Sequence, residues 1–338
     1  MMITTAISKL TEGISLTFEE VTEATQEIMT GQATAAQIAG YLTALRIKGE
    51  SANEIAGMAT VMRQHAQKVD YQGDLLDLVG TGGDSVGPFN ISTASCFVMA
   101  ASGIKIAKHG NRAMSGLMGS ADLLETLGIK IDLSPEGVQG CIEQVGLGFM
   151  FAPAFHPATK HAAPVRRELG IRTVFNILGP LTNPASAAYQ LIGVPNPETA
   201  EKIASVLAIL GTKKSWVVCG NDGMDEITTT DETFAWEITG KKVRPFSLTP
   251  EDAGLKRSTI ADIKPANLNE SISMFHESLS SIDSPCKDIV LLSSGAGFTI
   301  MGVTPDIRAG VAMAREIIDS GEPVSKINEL IEFSKTVN

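Results

Sequence analysis

The sequence predicts an α/β protein: a small all-helical domain, then a large α/β domain whose mainly parallel central sheet is flanked by helices. Three observations carry this. Residues 1–70 hold three helix-start signatures in succession and no strand pattern. From Asp74 onward, short apolar runs alternate with helical patterns, the order that builds a parallel sheet covered on both faces. At 338 residues, with 43% apolar and 19% charged residues, the chain is long enough and apolar enough for a sizeable core.

In the N-terminal part, Thr17 is followed three residues on by Glu20, Thr34 by Gln37 and Ser51 by Glu54. Each pair is a capping box, in which hydroxyl and acid or amide satisfy the orphan N–H groups of a helix start reciprocally. Gly31 and Gly49 stand where the first two of these helices should stop. Ile38, Tyr41, Leu42 and Leu45 share one helical face, and Ile55, Met58, Ala59 and Met62 another. With a further helix from Thr4 to Gly13, the module reads as four packed helices whose exposed apolar faces could form a dimer contact.

In the second part, "LLDLV" reads as a buried strand, "TASCFVMAASG" as a helix, "IKIAK" as a strand, "SADLLETLG" as a helix and "IKIDL" as another strand. Ser134 and Pro135 open a helix through Val145, and "GFMFA" is the next strand. "AYQLIGV", a helix from Pro197 to Leu210 and "KSWVVCG" continue the alternation, and residues 228–246 suggest a hairpin. The C-terminal stretch is mainly helical.

The net charge of -11 argues against a nucleic-acid partner, which would need clustered Lys and Arg. Cys96, Cys141, Cys219 and Cys286 are scattered in apolar contexts without a C-x-x-C, so buried reduced thiols are expected rather than disulfides or zinc. No signal peptide and no membrane-spanning run is read, so a cytoplasmic location is expected.

In parallel sheets ligands sit beyond the carboxyl ends of the strands, so the loops after each strand matter most. After the first comes Gly80-Thr81-Gly82-Gly83-Asp84, whose bare backbone can approach an anion closely. It is neither a P-loop nor a dinucleotide fingerprint, because neither spacing is met. Asn90, Ile91, Ser92 and Thr93 follow at the expected start of a helix, whose N–H groups and dipole favour a phosphate. After the second strand come Lys108, His109, Gly110, Asn111 and Arg112, with Ser120 expected to cap the next helix. Two adjacent strand tips rich in anion donors favour a phosphorylated ligand.

The acidic counterpart, Asn221 to Glu226, follows "SWVVCG". Adjacent carboxylates there are most simply a solvated turn. Facing the phosphate site, Asp225 and Glu226 become hard-oxygen ligands for magnesium, with Ser92 adding a hydroxyl. Residues 155–184 gather His156, Lys160, His161, Arg166, Arg167 and Arg172. Most of these are expected on a solvated face, and the two histidines in structural roles. One arginine turned to the ligand would suit a carboxylate-bearing second substrate.

Six motifs in order, "GTGGD", "FNIST", "KHGNR", "GSAD", "PVRRELGIRTVFNILGPLTNP" and "GMDEI", resemble the anthranilate phosphoribosyltransferases over essentially the whole chain. The resemblance implies a helical domain of residues 1–70 plus a returning segment near 166–184, an α/β domain over 71–338, and an active site at the hinge between them. It implies a homodimer through the helical domain, with no nucleic-acid or membrane partner. It also implies transfer of the phosphoribosyl group of 5-phosphoribosyl 1-pyrophosphate to the anthranilate amine, in tryptophan biosynthesis. Carried over by position, Gly80, Gly83, Asp84, Asn90, Ile91, Ser92, Thr93, Lys108, His109, Gly110, Asn111, Arg112, Ser115, Gly116 and Ser120 would hold the phosphoribosyl donor. Gly80, Asn111 and Arg166 would contact anthranilate, and Ser92, Asp225 and Glu226 would serve magnesium, two ions per site. No strong general base stands out, His109 being the nearest candidate.

The chain departs from the family pattern at Pro88, where threonine is usual, at Gly116 to Met118, and at "LLSSGAGFTIMG", which replaces a more regular alanine-rich helix. Two rivals follow. A pyrimidine-nucleoside-phosphorylase-like enzyme would use inorganic phosphate and need no paired metal carboxylates, which Asp225, Glu226 and Arg166 argue against. A non-catalytic, nucleic-acid-binding relative conflicts with the acidic balance.

Overall fold

A computed structural model describes residues 2–84, 86–113 and 116–338. Four helices come first: α1 (Met2–Thr11), α2 (Phe18–Met29), α3 (Ala35–Lys48) and α4 (Ala52–His65). All three capping boxes form, at Thr17, Thr34 and Ser51. The first helix begins at Met2, two residues before the expected start. Glu54 does more than cap: its carboxylate, fully buried, accepts from Leu16 N–H and pairs with Lys48, tying the first loop to the last helix.

The chain then runs β1 (Leu76–Gly80), α5 (Ile91–Ala101), β2 (Ile106–Gly110), α6 (Ser120–Thr126), α7 (Pro135–Gln144) and β3 (Leu147–Phe151). Three short helices cross back over the helical bundle: α8 (Ala152–Phe155), α9 (Ala163–Leu169) and α10 (Phe175–Leu178). β4 (Tyr189–Gly193), α11 (Pro197–Leu210), β5 (Lys214–Gly220), β6 (Thr233–Thr239) and β7 (Lys242–Leu248) complete the sheet. Four helices close the chain: α12 (Leu268–Ser278), α13 (Pro285–Met301), α14 (Ile307–Asp319) and α15 (Glu322–Thr336).

The sheet order is β3-β2-β1-β4-β5-β6-β7, parallel through β5 and antiparallel at the last two strands. β1 leads outward to β2 on one side, while β4 lies on its other side. The crevice between the ends of β1 and β4 is therefore the switch point where α/β sheets take their ligands. Gly80 and Gly193 face each other there in register.

Two apolar cores cover the two faces. On one, α5, α6, α7 and α12 to α15 pack against Leu76, Leu78 and Val218. On the other, the helical bundle joins α11, Ile192 and Val217, together with Val165, Val174, Phe175, Leu178 and Leu181 of the returning segment. That segment's apolar residues thus lie in the bundle's core. The four cysteines are buried and free. Among the described residues no helix is long and apolar enough to cross a membrane.

Three expectations need correction. "IKIDL" is not a strand: Ile129, Ile131 and Leu133 are buried in alternation, but no ladder forms. The segment runs instead along α15, with Lys130 N–H donating to Ser334 Oγ at 3.1 Å and Ser134 N–H to Asn338 O at 3.0 Å. Period-two burial was created by a helix rather than by a sheet. Ser120 does not cap α6 but is its first helical residue; the cap position is Gly119, and Asp122 Oδ2 accepts from Gly119 N–H and from Ala113 N–H, both at 2.9 Å. "LLSSGAGFTIMG" forms the regular helix α13. Its glycines serve packing: Gly295 meets Gly310 of α14 backbone to backbone, and Gly297 lies under Met99 of α5.

Candidate active site

The acidic loop after β5 crosses the switch point. A side chain on Gly193 would collide with the backbone carbonyl of Asp225, and a Cβ on Gly80 would lie 2.6 Å from Asp225 Oδ2. Both glycines are therefore needed for close approach. Asp225 Oδ2 accepts from Gly82 N–H at 2.7 Å, so the acidic loop and the glycine turn touch directly. Gly82 and Gly83 hold φ of 72° and 78°, left-handed values that suit glycine. Asp84 Oδ1 accepts from Gly87 N–H at 3.0 Å, while its Oδ2 has no partner.

Three carboxylates thus gather with little to balance them. Burial pushes Asp225 well above the carboxylate range, and Asp84 and Glu226 push it further. Burial also raises Asp84. Burial lifts Glu226 to about 7, with Lys108 and Ser92 pulling the other way. Lys108 is buried on β2, and its Nζ donates to Leu78 O at 2.6 Å and Ser92 Oγ at 3.2 Å, joining β1 to the start of α5.

Asn90 occupies the N-cap position of α5 without capping it; its Nδ2 donates to Met118 O at 3.1 Å and tethers the 116–119 loop. Ile91 and Thr93 are buried in the first turn of α5. Gly110 leaves room for the Ser120 hydroxyl, which donates to Asn111 O at 3.4 Å. Asn111 and Gly116 are exposed, and Ser115 lies outside the described residues.

His109 is buried, with Nδ1 3.1 Å from Gly179 O. A carbonyl only accepts, so Nδ1 carries the proton and Nε2 is left as an acceptor, without a partner. Its ring lies 5.1 Å from that of His156, and burial, helped by that neighbour, drives His109 down to about 3. It stays neutral at pH 7, a weak base. Asp77, within the strand "LLDLV", accepts from Asn183 Nδ2 at 2.8 Å and His109 N–H at 3.3 Å.

The arginines divide. Arg112 is exposed and paired with Glu125 and, at 3.3 Å, with Asp122. Arg166 is half-buried on α9, its guanidinium 5.0 Å over the Phe175 ring. Arg172, one of the basic residues gathered in 155–184, donates Nη2–H to Gly82 O at 3.3 Å and lies against Gly83. No sequence signal separates it from the other basic residues of its segment; only the returning path brings it to the glycine turn.

Of ten buried side-chain oxygens and nitrogens without a partner among the described residues, six belong to the glycine turn, the start of α5, β2 and the 155–184 segment: Thr81 Oγ1, Asp84 Oδ2, Thr93 Oγ1, His109 Nε2, His156 Nε2 and Thr173 Oγ1; the other four lie in α2, α3 and α13. Buried polar groups are normally satisfied, so this concentration is what a site shaped for a polar ligand leaves behind.

Comparison with known proteins agrees with this geometry. The model of a glycosyl transferase family helical bundle domain matches residues 4–66, and that of the family's a/b domain residues 72–324. The anthranilate phosphoribosyltransferase of Dehalococcoides mccartyi is 48% identical, covering 99% of each chain. That of Acetivibrio thermocellus is also 48% identical, over 99% of this chain and 97% of its own. Among solved structures, the Thermus thermophilus enzyme superposes with a TM-score of 0.91 at 43% identity, covering 98% of this chain and 99% of that one. The Saccharomyces cerevisiae enzyme in complex with PRPP and Mg gives 0.91 at 27% identity, covering 99% and 98%. A bundle and a sheet meeting at a glycine-and-carboxylate cleft, with full-length likeness to these enzymes, place the chain in the anthranilate phosphoribosyltransferase family of glycosyl transferases.

Proposed function

We propose that the protein transfers the phosphoribosyl group of 5-phosphoribosyl 1-pyrophosphate to the amine of anthranilate, releasing pyrophosphate. The observation that carries this is the convergence of the glycine turn, the start of α5 and the Asp225–Glu226 loop on one switch point. Amides of Gly80 and Gly83, the α5 N-terminus from Asn90 to Thr93, Lys108, Gly110, Asn111 and Ser120 offer donors to the sugar's phosphates. Gly80, Asn111 and Arg166 stand as the acceptor's contacts, the guanidinium suiting a carboxylate.

The residues fit magnesium. Asp225, Glu226 and the unbonded Asp84 Oδ2 are hard oxygens whose mutual repulsion a divalent cation would relieve. Among the described residues no three acidic, His or Cys side chains form a ready chelate, which suits a cation completed by substrate phosphate oxygens. Ser92, Asp225 and Glu226 would hold it, with two ions per site. When bound, magnesium neutralises the charge that grows on the leaving group.

The chain's own residues then position and shield. The anomeric carbon becomes cationic as its bond to pyrophosphate breaks; the anthranilate nitrogen forms the new C–N bond and then gives up one N–H proton to solvent or to the departing pyrophosphate. Holding both reactants in line supplies much of the rate, and amides pre-aimed at the departing oxygens supply more. Neutral His109 can accept a hydrogen bond at Nε2 but is too weak a base to drive the step, in keeping with an amine that needs little activation. A homodimer through the helical bundle is supported by two exposed isoleucines, Ile47 on α3 (81% exposed) and Ile14 (47% exposed), whose neighbours Lys48 and Ser15 are joined by a 3.2 Å hydrogen bond; sedimentation would read twice the chain's mass. A cytoplasmic location suits the four reduced thiols.

The deciding experiment follows the loss of anthranilate fluorescence. Turnover is expected with phosphoribosyl pyrophosphate and magnesium and should vanish with excess chelator. No turnover under any metal condition would reject the assignment.

A pH effect tests the acidic cluster separately. The folded pKa of Glu226 lies above that of a free glutamate, so the folded chain holds the proton more tightly. Stability from this group is full below the ordinary glutamate range and is lost as pH rises through about 7. In chelator, the melting temperature should fall between pH 5 and pH 8, and Glu226→Gln should flatten that fall. Parallel pH curves for parent and variant would place Glu226 in solvent.

A further inference from the structure

Of the cations Lys108, Arg112, Arg166 and Arg172, the first three are held by hydroxyl, carboxylate or ring partners. Lys108 is held by Leu78 O and Ser92, Arg112 by Asp122 and Glu125, and Arg166 by the Phe175 ring. Arg172 is exposed, and its one side-chain hydrogen bond among the described residues goes to a neutral carbonyl, Gly82 O. We propose that Arg172 is a substrate-contacting residue, its guanidinium reaching across the cleft from the returning segment to bind the pyrophosphate of the phosphoribosyl donor. This rests on the phosphoribosyl-transfer reading and adds a donor contact that no family motif assigned.

The local chain shows how the arginine is presented. Gly170, with φ of 62°, ends α9, and Thr173 N–H donates to Asn176 Oδ1 at 2.9 Å to begin α10. Arg172 lies on the short tether between them, one residue before buried Thr173 and two before buried Val174 in the bundle's core. Its Cα is therefore fixed by the helical bundle, while the group it touches belongs to the glycine turn after β1. Gly83 has to lack a side chain for the guanidinium to lie there at all, because a Cβ would collide with Nη1.

Two hydroxyls support a phosphate at this point. Thr81 Oγ1 in the glycine turn and Thr173 Oγ1, the neighbour of Arg172, are both buried without a partner. They belong to the sequence neighbours of Gly82 and Arg172, the two residues in contact. A planar, permanently charged fork suits phosphate oxygens, which it can take two at a time.

The test is calorimetric titration of inorganic pyrophosphate and of phosphoribosyl pyrophosphate, with magnesium, into the parent, Arg172→Ala and Arg172→Lys. Arg172→Ala should bind both roughly tenfold more weakly, the loss of one charge-assisted contact. Arg172→Lys should recover part of the loss. Because the side chain is exposed, melting temperatures should agree, and in turnover the KM for the donor should rise with little change in kcat. Parental affinity for pyrophosphate in Arg172→Ala would overturn the inference. A parent chain that binds no phosphoribosyl pyrophosphate would instead overturn the transfer reading beneath it.

Discussion

Asp225→Asn is expected to lower kcat/KM on the order of a hundredfold or more, while leaving the melting temperature of the ligand-free protein unchanged or higher. The two halves of this expectation have the same cause. Asp225 is 9% exposed and sits between Asp84 and Glu226, so in the empty protein its charge is a cost. An amide removes that charge, keeps nearly the same shape and can still accept from Gly82 N–H through its oxygen. What it cannot do is supply an anionic oxygen to a divalent cation. A residue retained for folding would show the opposite pattern, losing stability and activity together. The measurement is a steady-state rate with saturating magnesium beside a thermal melt in chelator. Parental kcat/KM in the Asp225→Asn variant would reduce the acidic loop to an ordinary turn.

The fold was legible wherever one residue type has one physical job. Thr17, Thr34 and Ser51 cap helices because a hydroxyl three residues before an acid or amide has few other uses, and all three boxes form. The parallel strands were legible as apolar runs bounded by turn residues, and Pro197–Leu210 is helical over the span expected for it. Two local readings failed where a tertiary neighbour decided the outcome. Ile129, Ile131 and Leu133 alternate like a strand, yet the surface they bury against is α15, far away in sequence. Ser120 has the chemistry of a cap, but the helix begins at Ser120 itself, and Asp122 in its first turn reaches back to the Gly119 and Ala113 amides.

The site was half legible for the same reason. Glycine turns and paired carboxylates announce their chemistry by type, so residues 80–84 and 225–226 were readable one by one. Arg172, Asp77 and Thr173 were not. Each draws its meaning from a partner supplied by another element: the glycine turn for Arg172, Asn183 for Asp77, and a cleft that leaves Thr173 unsatisfied. Arg112 shows the converse, a residue of the right type at a strand tip whose charge is taken up by Glu125.

Gly193 gives the sharpest test of how the cleft is built. Gly193→Ala is expected to reduce kcat/KM about a hundredfold, the scale of a one-ångström misplacement at a reacting centre, and to cost about 1–3 kcal/mol of stability through overpacking. β4 cannot yield, since Gly193 is registered with Gly80 on one side and Val218 on the other, and its carbonyl accepts from Thr81 N–H at 2.9 Å. The added methyl would strike the carbonyl of Asp225 and lie 3.2 Å from the amide nitrogen of Glu226. The acidic loop must therefore move as a unit, because Asp222 holds it internally through Met224 N–H at 2.9 Å and Thr228 Oγ1 at 2.7 Å. Both carboxylates leave the glycine turn together. Gly40→Ala is the control of opposite sign: in the interior of α3, with the nearest atom 3.6 Å from the new Cβ, it should gain roughly 0.5–1 kcal/mol and leave activity alone. Melting curves and donor-saturation kinetics on the two alanine variants separate a packing glycine from a merely helical one. If Gly193→Ala keeps the parental rate, the carboxylates do not need the place where β1 and β4 put them.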